Sequence, residues 1–133
     1  MGLVAEASYL RWFDMGRAAL LKEHGLDYRQ FEALGYLLPV LEIGLIFRRP
    51  AYYDDVLQII TTLRARPKFR IRLEYEVRRQ GLLLAVGHSV QGFVNRRQRP
   101  VKPPPAFMAK LDTVFPRISS ADEALIQNST AGP

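Results

Sequence analysis

The sequence contains no cysteine, which excludes disulfide staples and thiolate metal sites. Histidine is almost as scarce. His24 and His88 stand far apart, and neither belongs to an HxH or HxxxH spacing that would hold zinc. No metal and no cofactor are expected. Long apolar runs are missing as well: no stretch approaches the roughly 20 apolar residues of a membrane span. The N-terminus has no basic segment followed by an apolar run of the kind that directs secretion. The resulting expectation is a soluble, cytoplasmic protein without membrane contact, and no internal repeat suggests an array.

What is present is enough for one ordinary domain with a real core. The 133 residues are 48% hydrophobic and 24% charged, a globular balance. The net charge is +6, mostly from arginines spread along the chain. The densest basic group is "NRRQRPVK" (Asn95 to Lys102), with no CxxC, RNP-like or helix-turn-helix pattern beside it. The charge therefore reads first as a solvated basic surface. Where it has a functional meaning, it favours an anionic partner, and a phosphorylated small ligand suffices. Nucleic acid is the disfavoured alternative.

Periodicity divides the chain. From Ser8 to about His24, Tyr9, Trp12, Phe13, Leu20 and Leu21 recur at helical spacing among Arg11, Asp14, Arg17 and Lys22, with Ser8 as N-cap and Gly25 as C′ residue. "LDYRQFEALGY" reads as a short helical turn closed by Gly35. The period then changes to 2. Tyr36 to Pro50, Asp54 to Arg66, and the segment "KFRIRLEYEVRR" read as strands. In the last of these, Ile71, Leu73, Tyr75 and Val77 alternate with charged residues, which predicts one buried and one wet face. A turn at Arg79 to Gly81 leads to a final strand, "LLLAVGHSVQGFVN". Pro103 to Pro105 precede a short helix near Ala106 to Thr113, and residues 116–133 read as a polar, flexible tail after a single domain of residues 1–115. A long helix with one apolar side followed by four antiparallel strands predicts an α+β domain in which the sheet wraps the helix.

The opening residues also resemble a known signature. Met1, Gly2, Val4, Tyr9, Leu10, Arg11, Trp12 and Phe13 fall on the pattern D-x-M-G-V-V-Y-H-x-N-Y-L-R-W-F of the 4-hydroxybenzoyl-CoA thioesterase-like, hotdog-fold acyl-CoA thioesterases. Arg17 and Gly25 continue the match, "PVLEIGLIFRRPAYYDDVLQI" is similar to the family's second-strand region, and "RLEYEVRRQGLLLAVGHSVQGFVN" to its final hairpin. The resemblance implies a hotdog fold and hydrolysis of an acyl-CoA or acyl-carrier thioester by a homodimer or homotetramer with its sites between protomers. It also implies a first strand, ending in a catalytic Asp two residues before Met1, that this sequence lacks. The family's Tyr-His-x-Asn is here Ala5-Glu6-Ala7-Ser8.

Thioester hydrolysis needs a carboxylate and donors for the developing oxyanion. The resemblance places the donor at the backbone N–H of Glu6, and Gly2 where the chain approaches the acyl group. Glu6 is the candidate catalytic carboxylate, against the plainer reading of a charge favoured by the helix dipole. Tyr9, Trp12 and Phe13 are candidates for an acyl pocket, with ordinary core as the alternative for Trp12 and Phe13. Lys68 and Arg70, beyond the break at Pro67, are candidates for the phosphates of coenzyme A, as are Arg96 and Arg97. Asp14 is expected to pair with Arg11 or Arg17. His88 is expected to be structural or exposed. The competing function is a non-catalytic hotdog protein that binds acyl thioesters or serves as an assembly subunit.

Overall fold

The computed structural model describes residues 6–24, 27–114 and 126–132. In chain order the elements are α1 (Glu6–Glu23), α2 (Tyr28–Ala33), β1 (Val40–Phe47), β2 (Leu57–Leu63), β3 (Ile71–Arg79), β4 (Leu82–Gln91), α3 (Pro105–Val114) and β5 (Ile126–Gly132). All strand pairs are antiparallel, in the order β1-β4-β3-β2-β5, and α1 packs on one face of the sheet. This is the hotdog arrangement.

Helix α1 forms because its apolar residues share a face. Tyr9, Trp12, Phe13, Gly16, Leu20 and Leu21 are buried, while Arg11, Asp14 and Met15 are exposed. Glu6 in its first turn and Lys22 in its last both complement the helix dipole. The helix begins two residues before Ser8, so Ser8 is not its N-cap: a helix already running through Glu6 and Ala7 leaves Ser8 in the first turn. The roles expected of Gly2 and Gly25 fall outside the described residues.

The sheet presents the complementary surface. Ile71, Leu73, Tyr75 and Val77 are buried at alternate positions of β3, with Leu57, Ile59 and Leu63 from β2 and Leu84 and Ala85 from β4. Helix and sheet approach closely. The Phe13 ring lies parallel to Tyr75, with centroids 4.3 Å apart, and a Cβ on Gly87 would come within 2.6 Å of the Phe13 Cζ. The β3–β4 hairpin turns through Gln80 (φ +50°) and Gly81 (φ +82°), two left-handed residues that match the strand twist.

The expected strand from Tyr36 to Pro50 is shorter than its apolar run, because Pro39 and Pro50 cannot donate to a ladder and bound it at Val40 and Phe47. The polar tail also needs correction. Residues 126–132 form β5, which pairs with β2 from Leu57↔Gly132 to Leu63↔Ile126 and extends the domain past the expected boundary at 115. β2 is therefore covered on its outer side, and among the described residues the sheet ends in β5 on that side and in the edge strand β1 on the other. That edge is apolar: Val40, Leu41, Ile43, Ile46 and Phe47 are each 41–57% exposed.

Candidate active site

The start of α1, the end of β1 and the chain after it enclose a groove of about 310 Å³, lined by Glu6, Tyr9, Phe47, Arg48, Arg49, Pro50 and Ala51. Tyr9 is buried one turn into the helix, its ring edge-on to Phe47 at 5.0 Å and tilted against Trp12 at 4.8 Å. One wall is thus aromatic, at the lower end of the volume range of small-molecule sites. The first four amides of a helix have no intrahelical acceptor and sit at the positive end of its dipole. Glu6, exposed at the first helical position, puts a carboxylate beside those donors.

Electrostatics around Tyr9 keep it a phenol. Burial raises its pKa, and the Asp55 carboxylate raises it further, so the hydroxyl stays protonated and able to donate. Asp55 is anchored in turn. It accepts from the Tyr52 N–H at 2.8 Å and from Arg79 at 2.7 Å, and both hold its carboxyl below the usual range.

Of the residues singled out from sequence, the groove brings together Glu6 and Tyr9. Trp12 lies behind Tyr9 and is 4% exposed; Phe13 is fully buried against Tyr75. Both belong to the core rather than to the groove wall, because α1 turns their side of the helix onto the sheet. Lys68 and Arg70 are exposed in the β2–β3 connection. β3 enters the sheet there with Ile71 opposite Gln91, level with Val40 at the start of β1, whereas the groove is at the other end, beside Phe47. A single protomer does not bring these two cations to Glu6. Arg96 donates to the Glu32 carbonyl at 3.3 Å. His88 is on the outer face of the sheet, 2.7 Å from Glu42.

Asp14 pairs with Arg17 at 2.5 Å, but the arginine has a larger part than its sequence context suggests. Buried between helix and sheet, Arg17 donates to Tyr28 Oη at 3.0 Å, Tyr75 Oη at 3.1 Å and Ser89 Oγ at 3.4 Å. Tyr75 and Ser89 are themselves 2.7 Å apart. Burial raises the Tyr75 pKa although Arg17 and Ser89 pull it down, so its phenol is neutral. This network joins α1, α2, β3 and β4, and it satisfies a charge that would be costly to bury alone. Phe47, Arg48, Arg49 and Asp55 also escaped the sequence reading. For the two arginines the signal was the charge of "RRP" directly after an apolar strand. Among the described residues no group of three or more His, Asp or Glu could hold a metal ion, and no helix is long and apolar enough to cross a membrane.

Comparison with known proteins agrees with this architecture. YneP of Bacillus subtilis (strain 168), a candidate acyl-CoA thioesterase, is 32% identical over 77 residues, covering 58% of this chain and 56% of its own length. A crystal structure of a hypothetical protein from Thermus thermophilus superposes with a TM-score of 0.78 at 31% identity, over 85% of this chain and 87% of that one. The DHNA-CoA thioesterase of Staphylococcus aureus shares the fold at 19% identity and a TM-score of 0.80, over 86% of this chain and 80% of its own. Residues 1–111 match the Thioesterase-like superfamily, and the chain belongs to that family.

Proposed function

We propose that the protein hydrolyses an acyl-CoA or acyl-carrier thioester to free acid and thiol in the groove at the start of α1. The observation that carries this reading is the convergence of Glu6, in the first turn of α1, and the Tyr9–Phe47 wall in one small groove. A thioester carbonyl directed at the helix N-terminus would develop its negative charge against fixed N–H donors, which need no reorganisation as the charge appears. Glu6 would take a proton from water as its oxygen adds to the acyl carbon. Collapse of the tetrahedral adduct would break the C–S bond, and the leaving thiolate would take up the proton. The aromatic wall would hold the acyl group and keep bulk water from it.

The open β1 edge supports a homodimer, or a pair of dimers, as the working form. An unpaired strand with five half-exposed apolar residues invites a second copy, and Phe47 places the groove at the end of that same edge. The cytoplasm is the proposed location. Incubating the full chain with aromatic and aliphatic acyl-CoAs tests the reading by thiol release, and the absence of cysteine removes background from the protein itself. Turnover well above the uncatalysed rate with at least one acyl group is expected. Binding of acyl-CoA without turnover would instead identify a non-catalytic thioester binder, the alternative favoured by Ala5-Glu6-Ala7-Ser8 in place of Tyr-His-x-Asn.

A further inference from the structure

The groove at the start of α1 holds two cations besides Glu6 and its aromatic wall. Arg48 and Arg49, directly after β1, both line it, although adjacent residues of a regular strand point to opposite faces of the sheet. Their backbone accounts for this. Both amides donate to one acceptor, the Leu84 carbonyl of β4, at 2.8 and 3.0 Å. Two residues set against one make a bulge, which re-aims side chains at the end of a ladder. Leu84 is fully buried, and Pro50 follows with no N–H to continue the pairing. The backbone that carries the two guanidinium groups is thus fixed by the core.

The side chains themselves are unengaged. Arg66, Arg72, Arg78 and Arg79 each lie within ion-pair distance of a carboxylate. Arg48 and Arg49 are exposed, and among the described residues neither side chain has a hydrogen bond or ion pair, Glu6 in the same groove included. Two guanidiniums against one carboxylate leave a positive excess. Their planar forks match the paired oxygens of a second carboxylate.

Size decides which part of a thioester could bring that carboxylate. A groove of about 310 Å³ takes an acyl group rather than a whole acyl-CoA. With the thioester at Glu6, the phosphates of the carrier lie beyond the full length of the pantetheine arm and outside this space. The far end of a short acyl chain lies inside it, with its methylenes against Tyr9 and Phe47. We propose that Arg48 and Arg49 select acyl groups that carry a carboxylate, the monothioesters of short dicarboxylic acids, whose hydrolysis releases the free diacid and the thiol. The assignment rests on the hydrolase reading for the position of the thioester, whereas charge-selective binding needs no turnover.

The test compares adipyl-CoA with its ω-methyl ester, which keeps the chain and removes the charge. The wild-type protein should favour the carboxylate form at least tenfold in kcat/KM. Arg48→Gln/Arg49→Gln should bring that ratio toward one, and Arg48→Lys/Arg49→Lys should keep part of it. Arg99→Gln/Lys102→Gln, which removes two exposed charges away from the groove, should keep all of it. Calorimetry with S-(ω-carboxypentyl)-coenzyme A and S-hexyl-coenzyme A, thioethers that cannot be hydrolysed, measures the same selectivity without chemistry and should give the same order. A wild-type protein with no preference for the carboxylate, or a preference that survives Arg48→Gln/Arg49→Gln, would overturn the proposal. So would equal weakening of both thioethers by that variant, which would place the arginines on the carrier that the two ligands share. If no ester is hydrolysed by any form, the hydrolase reading has failed, and the thioether comparison alone then decides the selectivity.

Discussion

Gly87→Ala probes the fit between helix and sheet most sharply. The new methyl would lie 2.6 Å from the Phe13 Cζ and 2.8 Å from the Gly44 carbonyl oxygen on the neighbouring strand, both well inside van der Waals contact. Neither neighbour has room to yield. The Phe13 ring is fully buried and stacked on Tyr75 at 4.3 Å, and Gly44 is held in the β1–β4 ladder opposite His88. Overpacking of this kind costs about 1–3 kcal/mol. At this chain length each kcal/mol lowers Tm by roughly 4 °C, so a fall of about 4–12 °C is expected. Urea denaturation at one fixed protein concentration gives the free energy without the concentration dependence of an oligomer confounding it. Phe13→Leu removes the nearer obstacle, so the double variant Phe13→Leu/Gly87→Ala should be more stable than the sum of the single changes by more than about 0.5 kcal/mol. Strict additivity, or a Gly87→Ala variant as stable as the wild type, would show that Phe13 does not fill this space.

Three other perturbations test separate parts of the structure. Arg17→Ala should cost about 3 kcal/mol in denaturant unfolding by leaving the Tyr28, Tyr75 and Ser89 hydroxyls without their shared donor, and a loss below about 0.5 kcal/mol would show that the network is dispensable. Asp55, whose carboxyl is held low in the fold, stabilises fully above its unfolded pKa of about 3.9, and that stability is lost as pH falls through the lower folded value. Asp55→Asn should therefore lose less stability than the wild type between about pH 4 and pH 2, and equal acid slopes in urea titrations would refute the assignment. Leu41→Lys/Ile43→Lys on the β1 edge should convert the proposed dimer into a folded monomer at micromolar concentration by light scattering; an unchanged mass would refute pairing through this edge.

The elements that were legible in sequence are those whose signal is local. β3 alternates so regularly that its buried face could be named, and Gln80–Gly81 announced the hairpin. The apolar side of α1 was equally plain, although spacing alone could not separate Tyr9, which lines the groove, from Trp12 and Phe13, which the sheet covers. β5 was not legible. "IQNSTAG" has neither alternation nor strong β-propensity, and it is a strand through its pairing with β2, a contact across more than sixty residues of chain. Arg48 and Arg49 share a groove because of the Leu84 carbonyl, a partner that no local pattern discloses. From sequence Arg17 was a match to the family pattern and one expected partner of Asp14, and only the meeting of α1 with Tyr28, Tyr75 and Ser89 accounts for its burial.

Comparing Glu6→Gln with the wild type tests directly whether the start of α1 performs thioester hydrolysis with Glu6 as its carboxylate. The substitution keeps the helix and its N-terminal amides while removing the base, whose assistance is worth typically 10²–10⁴-fold. The measurement is kcat for thiol release from the best acyl-CoA substrate, with binding of that ester followed separately. If Glu6 is the base, kcat falls at least 10²-fold for Glu6→Gln, with affinity for the ester changed only a few-fold. A Glu6→Gln variant that turns over at the wild-type rate would contradict it.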